Sequence, residues 1–377
     1  MILTEEQEMI RATAREFAKA HLAPKSAEWE RTAFFPRQPL RDMGKLGFLG
    51  MTVPAEWGGA GADYVAYALA LEEIAAGDGA TSTVMSGHNS VGCMPILEYG
   101  TDSQKERYLR PLAAGEMLCA FCLTEPHSGS DASALKSRAV LHGDRYVING
   151  TKQFITTGKN AEVALVFAST DPAAGKRGIS AFIVETAWPG YRVGRVERKM
   201  GQNASDTCEI CFEDLEVPVE NRLGEEGQGY RIALANLEGG RIGIAAQSVG
   251  MARAAYELAL AYAHEREAFG NPIISYQAVS FRLAEMATRI EAARQLVLHA
   301  AALRSAGRSS LVEASMAKLF ASEMAEQVCS DAIQTFGGNG YIEDYQVERI
   351  FRAVRVAKIY EGSNDIQRLV ISRSFGA

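Results

Sequence analysis

The sequence predicts a mainly α-helical protein with a central β domain. Three observations carry this. Residues 1 to about 117 follow a helical period, residues 118 to about 226 read as short strands between Gly and Pro turns, and the remainder returns to long helical stripes. The expected domains are a helical unit at 1–117, a β-barrel unit at 118–226 and a four-helix bundle at 227–377.

The elements follow in order. Thr4 and Gln7 make a capping box, and Ile10, Ala14, Phe17 and Ala18 form one apolar face. Pro24 is expected just beyond the end of this helix. The stretch Trp57-Gly58-Gly59-Ala60-Gly61 precedes a helical run near 63–78, and Ala80 to Tyr99 is small and apolar, as a buried helix would be. Arg145-Tyr146-Val147-Ile148 runs into Asn149-Gly150, which predicts a hairpin turn with the chain returning through Lys152–Thr157. Val163–Phe167 and Ile179–Val184 are further strands. Helices are expected from Tyr230 to about His264, from Gln277 to Ala306 and from Ser310 to Phe336. In the second, Leu283, Met286, Ile290, Ala293, Val297, Ala300 and Leu303 form one core stripe.

Hydrophobic residues make up 47% and charged residues 23%, as in an ordinary soluble globular protein, and the net charge is -7. An acidic chain has no electrostatic reason to hold nucleic acid or an anionic membrane over its whole surface. No apolar run approaches a membrane span, and the start has no signal-peptide pattern. The expected location is the cytoplasm, or an organelle matrix without a transit peptide. Cys119 with Cys122, and Cys208 with Cys211, are spaced as CxxC. Both pairs lie in strand-like segments, where positions i and i+3 face opposite ways, so no metal site is expected and the thiols are read as buried and reduced.

Five segments could carry chemistry. Phe121–Asp131 leads a strand into a loop dense in Ser, Gly and Asp, which reads equally as a site for a phosphate or ring edge and as an ordinary capped turn. Phe154-Ile155-Thr156 offers an aromatic face beside a hydroxyl, or plain β core. Arg266 at a helix end can serve the dipole or clamp a pyrophosphate, and the glycines after Gln334 can end a helix or admit a ligand. Finally Ile359-Tyr360-Glu361-Gly362-Ser363-Asn364-Asp365 breaks the last helices. Gly362 can simply be the breaker, with Ser363 or Asp365 as the next N-cap. Glu361 can also be a half-apolar carboxylate suited to taking a proton from carbon. There is no GxSxG motif and no P-loop.

With these pieces in order, the chain resembles the acyl-CoA dehydrogenase family over essentially its whole length. The likeness rests on the 121–131 segment, on Arg266…Phe269-Gly270…Gln277 and on Tyr360-Glu361-Gly362. The resemblance implies an N-terminal helical domain, a middle β domain and a C-terminal four-helix bundle, with FAD as cofactor in a homotetramer built as a dimer of dimers. It implies that Phe121, Leu123, Thr124 and Ser130 line the flavin and the thioester, and that Phe154, Ile155 and Thr156 lie against the isoalloxazine ring. Arg266, Phe269, Gln277, Gln334 and Gly338 would reach the FAD of a neighbouring subunit, and Ser363 and Asp365 its adenosine-diphosphate part. Ser205, Glu238 and Arg241 would hold CoA, with Ser130, Tyr360 and Gly362 also on the substrate.

Glu361 matches the family's base. It would take the α-proton of an acyl-CoA while the β-hydride passes to the flavin, giving a trans-2-enoyl-CoA. The thioester carbonyl would be held by the Glu361 N–H and a ribityl hydroxyl, and electrons would leave to electron-transfer flavoprotein. Leu237–Ala245 looks like the short-chain and short-branched-chain members. Gly240 stands where some members carry their base, Glu238 where Asp is frequent, and His127 where Gly is frequent. The competing expectations are an acyl-CoA oxidase or a flavin monooxygenase on the same fold, and a non-catalytic acyl-CoA or DNA-binding relative, against which the -7 charge stands.

Overall fold

The first helix begins at the expected cap. In the computed structural model, which describes residues 1–376, the Thr4 hydroxyl accepts from the Gln7 N–H and the Gln7 side chain accepts from the Thr4 N–H ahead of α1 (Glu5–Phe17). Pro24 does not lie beyond the helical course. A π-helical turn at Ala18–Leu22 carries the chain into α2 (Ala23–Thr32), and Pro24 sits in its first turn. In a regular α-helix the proline ring would clash with the carbonyl four residues earlier; the π-helical turn just before it widens the hydrogen-bond spacing, and the Ala23 N–H reaches the Ala18 carbonyl.

After α3 (Arg37–Lys45) and the glycine-rich loop comes α4 (Tyr64–Gly77), capped by Asp63 and buried on nearly every side. Next is α5 (Gly79–Gly87), then a π-helical turn and α6 (Met94–Tyr99), buried as far as Ile96. Two short helices, α7 (Asp102–Gln104) and α8 (Arg110–Ala113), lead to the sheet.

The strands are β1 (Cys119–Cys122), β2 (Arg138–His142), β3 (Arg145–Thr156), β4 (Val163–Ser169), β5 (Ile179–Glu185), β6 (Tyr191–Val196), β7 (Thr207–Pro218) and β8 (Arg222–Leu223). They form one eight-stranded sheet in the order β6-β7-β3-β2-β4-β5-β8, with β1 parallel to β4. The end strands β6 and β8 do not pair, so the expected barrel is open. Asn149-Gly150 is not a hairpin turn. It lies inside β3 at an irregularity in the pairing with β7, and the β2–β3 turn falls at His142–Arg145 instead. Tertiary contacts explain the glycine: a Cβ on Gly150 would stand 2.2 Å from Ser137 Oγ. Asn149 meanwhile exchanges hydrogen bonds with Asp214 across the strands.

The C-terminal helices are α9 (Gly229–Glu265), α10 (Gln277–Ser305) and α11 (Leu311–Phe336), followed by short α12 (Val347–Val354) and α13 (Asn364–Arg373). A two-stranded arm, β9 (Glu267–Ala268) with β10 (Asn271–Pro272), separates α9 from α10. Six of the seven predicted stripe residues of α10 are buried, and Leu303 at its end is half-buried. Only three of these helices are long. The fourth long helix packed on α9 and α10 is α4, from the N-terminal region, while α12 and α13 close over α11. Five of the six cysteines are buried and Cys211 is half-buried; all are free thiols, in β1, β7 and buried helical segments. No helix of the described residues is long and apolar enough to cross a membrane.

Candidate active site

Glu361 sits between a 3-10 turn ending at Lys358 and α13. The break is a helix end of the expected kind. Gly362 takes φ 84 and Ser363, not Asp365, caps α13 by accepting from the Ile366 N–H. Glu361 itself takes φ 53, a left-handed conformation that costs a non-glycine residue about 1 kcal/mol. Side chains from other parts of the fold hold the turn. Lys318 Nζ on α11 donates to the Gly362 carbonyl at 2.8 Å. Gln367 Nε2 donates to the same carbonyl at 2.8 Å and to that of Glu361 at 3.2 Å.

The Glu361 carboxyl points at α9. Its Oε2 is buried and has no hydrogen-bond partner. A Cβ added to Gly240 would stand 2.6 Å from that oxygen, so the carboxyl occupies space that only glycine leaves. Burial raises the Glu361 pKa to about 7, opposed by the positive charges of Arg241 and Lys318. A buried carboxyl oxygen without a partner, on a group whose pKa is raised toward neutrality, has the basicity that removal of a proton from carbon requires.

Tyr360 is tied into a polar network at the junction of α5 and α9. Its hydroxyl donates to Gln247 Oε1 and lies 3.4 Å from Thr83 Oγ1. Gln247 Nε2 donates to the Gly79 carbonyl at 3.0 Å, Ser82 Oγ at 2.8 Å and Thr83 Oγ1 at 2.6 Å. Gln202 receives the Thr83 hydroxyl at 2.5 Å and donates to the Ala353 carbonyl. Sequence reasoning missed Gln202, Gln247, Lys318 and Gln367. A signal existed for two of them: Gln247 interrupts a Gly/Ala-rich buried run, and Lys318 sits on a stripe of alanines.

Of the residues expected at CoA, Glu238 and Arg241 lie one turn apart on α9, and Ser205 lies on the turn that leads into β7. Arg241 is buried, with Nη1 3.3 Å from Ser315 Oγ and Nε without a partner, and burial pulls its pKa below the ordinary value. Glu238 caps α11 by accepting from the Ser310 N–H at 2.8 Å and from the Ser310 hydroxyl, and lies 3.5 Å from Arg304. Ser205 is on the Gln202 turn, buried, with Oγ unpartnered. Among the described residues no hydrogen bond joins Ser205 to Arg241 or Glu238.

The flavin-facing expectation divides into two places. On the sheet, the Gln153 N–H donates to the Thr124 carbonyl at 2.8 Å, which sets Phe121, Leu123 and Thr124 beside Phe154, Ile155 and Thr156. Phe154 takes φ 58 and leaves 64% of its surface exposed, while Ile155 is buried beneath. Lys152 and Glu125 form a buried ion pair of 2.8 Å at the root of the loop, and Lys152 also donates to the Leu123 carbonyl. Glu125 accepts from the Lys136 and Ser137 N–H groups, so the loop returns to a fixed point while Ser130 stays exposed. His127 is held at 3.3 Å from the Ala134 carbonyl.

The second place is the end of the bundle. Arg266 and Gly338 line a cleft of about 370 Å³ with Tyr262, Thr335 and Asn339. Phe269, at the tip of the β9–β10 arm, takes φ 51 and is 96% exposed; Gln277 and Gln334 are exposed nearby on α10 and α11. Asp365 is exposed on α13 and paired with Arg368 at 3.0 Å. Two aromatic side chains held outward in left-handed conformations, one beside a polar loop and one on an arm beside a glycine-lined cleft, fit a large flat ligand with a polyanionic tail reached from two sides.

Comparison with known proteins follows the same outline. Residues 4–116 match the model "Acyl-CoA dehydrogenase, N-terminal domain", 120–215 the middle domain and 227–376 the C-terminal domain. The chain is 51% identical over 373 residues to an acyl-CoA dehydrogenase of Bacillus subtilis, covering 99% of this chain and 98% of that one. Butyryl-CoA dehydrogenase from Megasphaera elsdenii superposes with TM-score 0.98 at 41% identity, covering 100% of both chains. A chain of the structure described as "Electron transferring flavoprotein of Acidaminococcus fermentans: Towards a mechanism of flavin-based electron bifurcation" superposes with TM-score 0.98 at 48% identity, covering 100% of this chain and 99% of that one.

Proposed function

This chain belongs to the acyl-CoA dehydrogenase family, and we propose that it desaturates a short or branched acyl-CoA thioester between its α and β carbons. The observation that carries the reading is Glu361: a buried carboxylate oxygen without a partner, raised toward neutrality, at a strained turn opposite Gly240. Glu361 takes the α-proton on its carboxylate. Its burial keeps water from competing for that role and raises its basicity toward the pH at which it works. Tyr360, fixed by Gln247 and Thr83, backs the same turn as the wall of the acyl site.

The sheet face at Phe154 and the arm at Phe269 support FAD as the cofactor. FAD, when bound, supplies the acceptor for the β-hydride. Phe121, Leu123, Thr124, Ser130, Phe154, Ile155 and Thr156 would hold it on one subunit, with Ser363 and Asp365 toward its adenosine-diphosphate part. Arg266, Phe269, Gln277, Gln334 and Gly338 would reach it from a neighbour, which makes a homotetramer of paired dimers the proposed assembly. Arg241, Ser205 and Glu238 are the proposed contacts to CoA. The likeness to the butyryl-CoA enzyme supports a short acyl chain, and the chain associated with electron transferring flavoprotein supports that protein as the electron acceptor.

The test is Glu361→Gln in the FAD-loaded enzyme, with bleaching of the flavin by butyryl-CoA as readout. Reduction should slow by at least about 100-fold while FAD content is unchanged. Full bleaching in this variant removes Glu361 as base. Stoichiometric peroxide release by the parent enzyme in air would replace the dehydrogenase reading with an oxidase.

A further inference from the structure

Lys318 lies in the middle of α11, on the buried stripe that also carries Ala314, Ala317, Ala321 and Ala325. It is 0% exposed. An ammonium taken out of water costs several kcal/mol unless hydrogen bonds and charge offset the loss. Here the ammonium donates to the Gly362 carbonyl at 2.8 Å and to Asn364 Oδ1 at 3.0 Å. Asn364 is itself fixed by Ser322 Oγ at 3.1 Å. Neither acceptor is a carboxylate. Both hydrogen bonds therefore go to the short segment that follows Glu361.

We propose that Lys318 is a positioning residue for proton abstraction: it pins the left-handed Glu361–Gly362 turn to α11 and supplies a buried positive field that favours the carboxylate form of Glu361. The strain at Glu361 needs outside support, and Lys318 and Gln367 are the side chains that give it. The charged and titratable groups facing the Glu361 carboxyl are Arg241 from α9 and Lys318 from α11, with the neutral Tyr67 of α4 and Tyr360 of its own turn. Glu238 acts on Arg241, and Glu323 acts on Lys318. Burial lowers the Lys318 pKa to about 7, partly offset by the attraction of Glu361, so its charge is coupled to that of the base. The proposal rests on Glu361 being the base, and retained activity in Glu361→Gln would remove that premise whatever Lys318 does.

The experiment compares full-length, FAD-loaded Lys318→Met, Lys318→Gln and Lys318→Arg with the parent. The readouts are kcat and KM for butyryl-CoA, the acid limb of the pH profile of kcat/KM, and FAD content. Lys318→Met should lower kcat by 10- to 100-fold with KM within about threefold. Its acid limb should move up by about one pH unit, because removing a cation makes the carboxylate harder to form. Lys318→Arg keeps the charge and should leave the limb in place. Should Lys318→Met fail to fold or to hold FAD, Lys318→Gln carries the test: it keeps an N–H donor without charge, so its limb must still rise. A folded, FAD-replete Lys318→Met or Lys318→Gln with parental kcat and limb overturns the proposal. So does a limb in Lys318→Arg that moves as far as in the uncharged variants, since Lys318 would then matter only through packing.

Discussion

Glu361 shows how one residue can be costly to the fold. Its folded pKa of about 7 lies above the value of about 4.3 expected in the unfolded chain. An acid shifted upward favours the folded state below its unfolded pKa. That contribution is lost as pH rises from about 4.3 through about 7. Glutamine has the same shape without the charge. Glu361→Gln should therefore raise the melting temperature of the protein more at pH 8 than at pH 5. Equal changes at the two pH values would show that the carboxyl is not desolvated. Glu361 stood out in the sequence as a lone carboxylate beside a glycine, and the family resemblance is what proposes it as the base. The space it needs was not, because Gly240 is 121 positions away in sequence and meets it only across the fold.

At the scale of elements, β3 is the clearest case of tertiary context overriding a local signal. Asn-Gly favours a two-residue turn when nothing competes. Here β7 pairs with both halves of the segment, Ser137 needs the space at Gly150, and the strand continues. The same strand carries Lys152, whose buried pair with Glu125 anchors the Thr124–Ser130 loop. Removing one partner leaves an uncompensated buried charge, so Lys152→Met should cost about 3 kcal/mol in urea unfolding. It should also weaken FAD binding, measured by fluorescence titration, since the loop loses its tether. Unchanged stability and unchanged FAD affinity would remove the pair from any role at the site. Capping at Thr4 was legible because both partners lie within one turn; the π-helical turn that takes the chain past Pro24 has no comparable local signature.

At the scale of the whole molecule, the proposed FAD residues fall on different parts of the fold, one group on the sheet and one on the arm and the ends of the long helices. The sheet group lies at Phe154 and the arm group at Phe269, which meets Tyr276 edge-on at 6.3 Å and is otherwise open to solvent. Phe269→Ala should leave the stability of the FAD-free protein within about 0.5 kcal/mol, as surface substitutions do. It should nevertheless increase FAD loss during gel filtration at low protein concentration. Full FAD retention would remove the arm from the cofactor site.

The succession of helical, β and helical regions, the strand positions of Cys119, Cys122, Cys208 and Cys211, the α10 stripe and the turn that carries Glu361 were all readable in the sequence. These depend on periodicity and on neighbours within a few residues. Tertiary structure alone decided that α4 packs with α9 and α10, that Asn149-Gly150 stays in a strand, and that Lys318 and Gly240 converge on Glu361. Each depends on burial and close approach between distant segments, and neither quantity exists until the chain has packed.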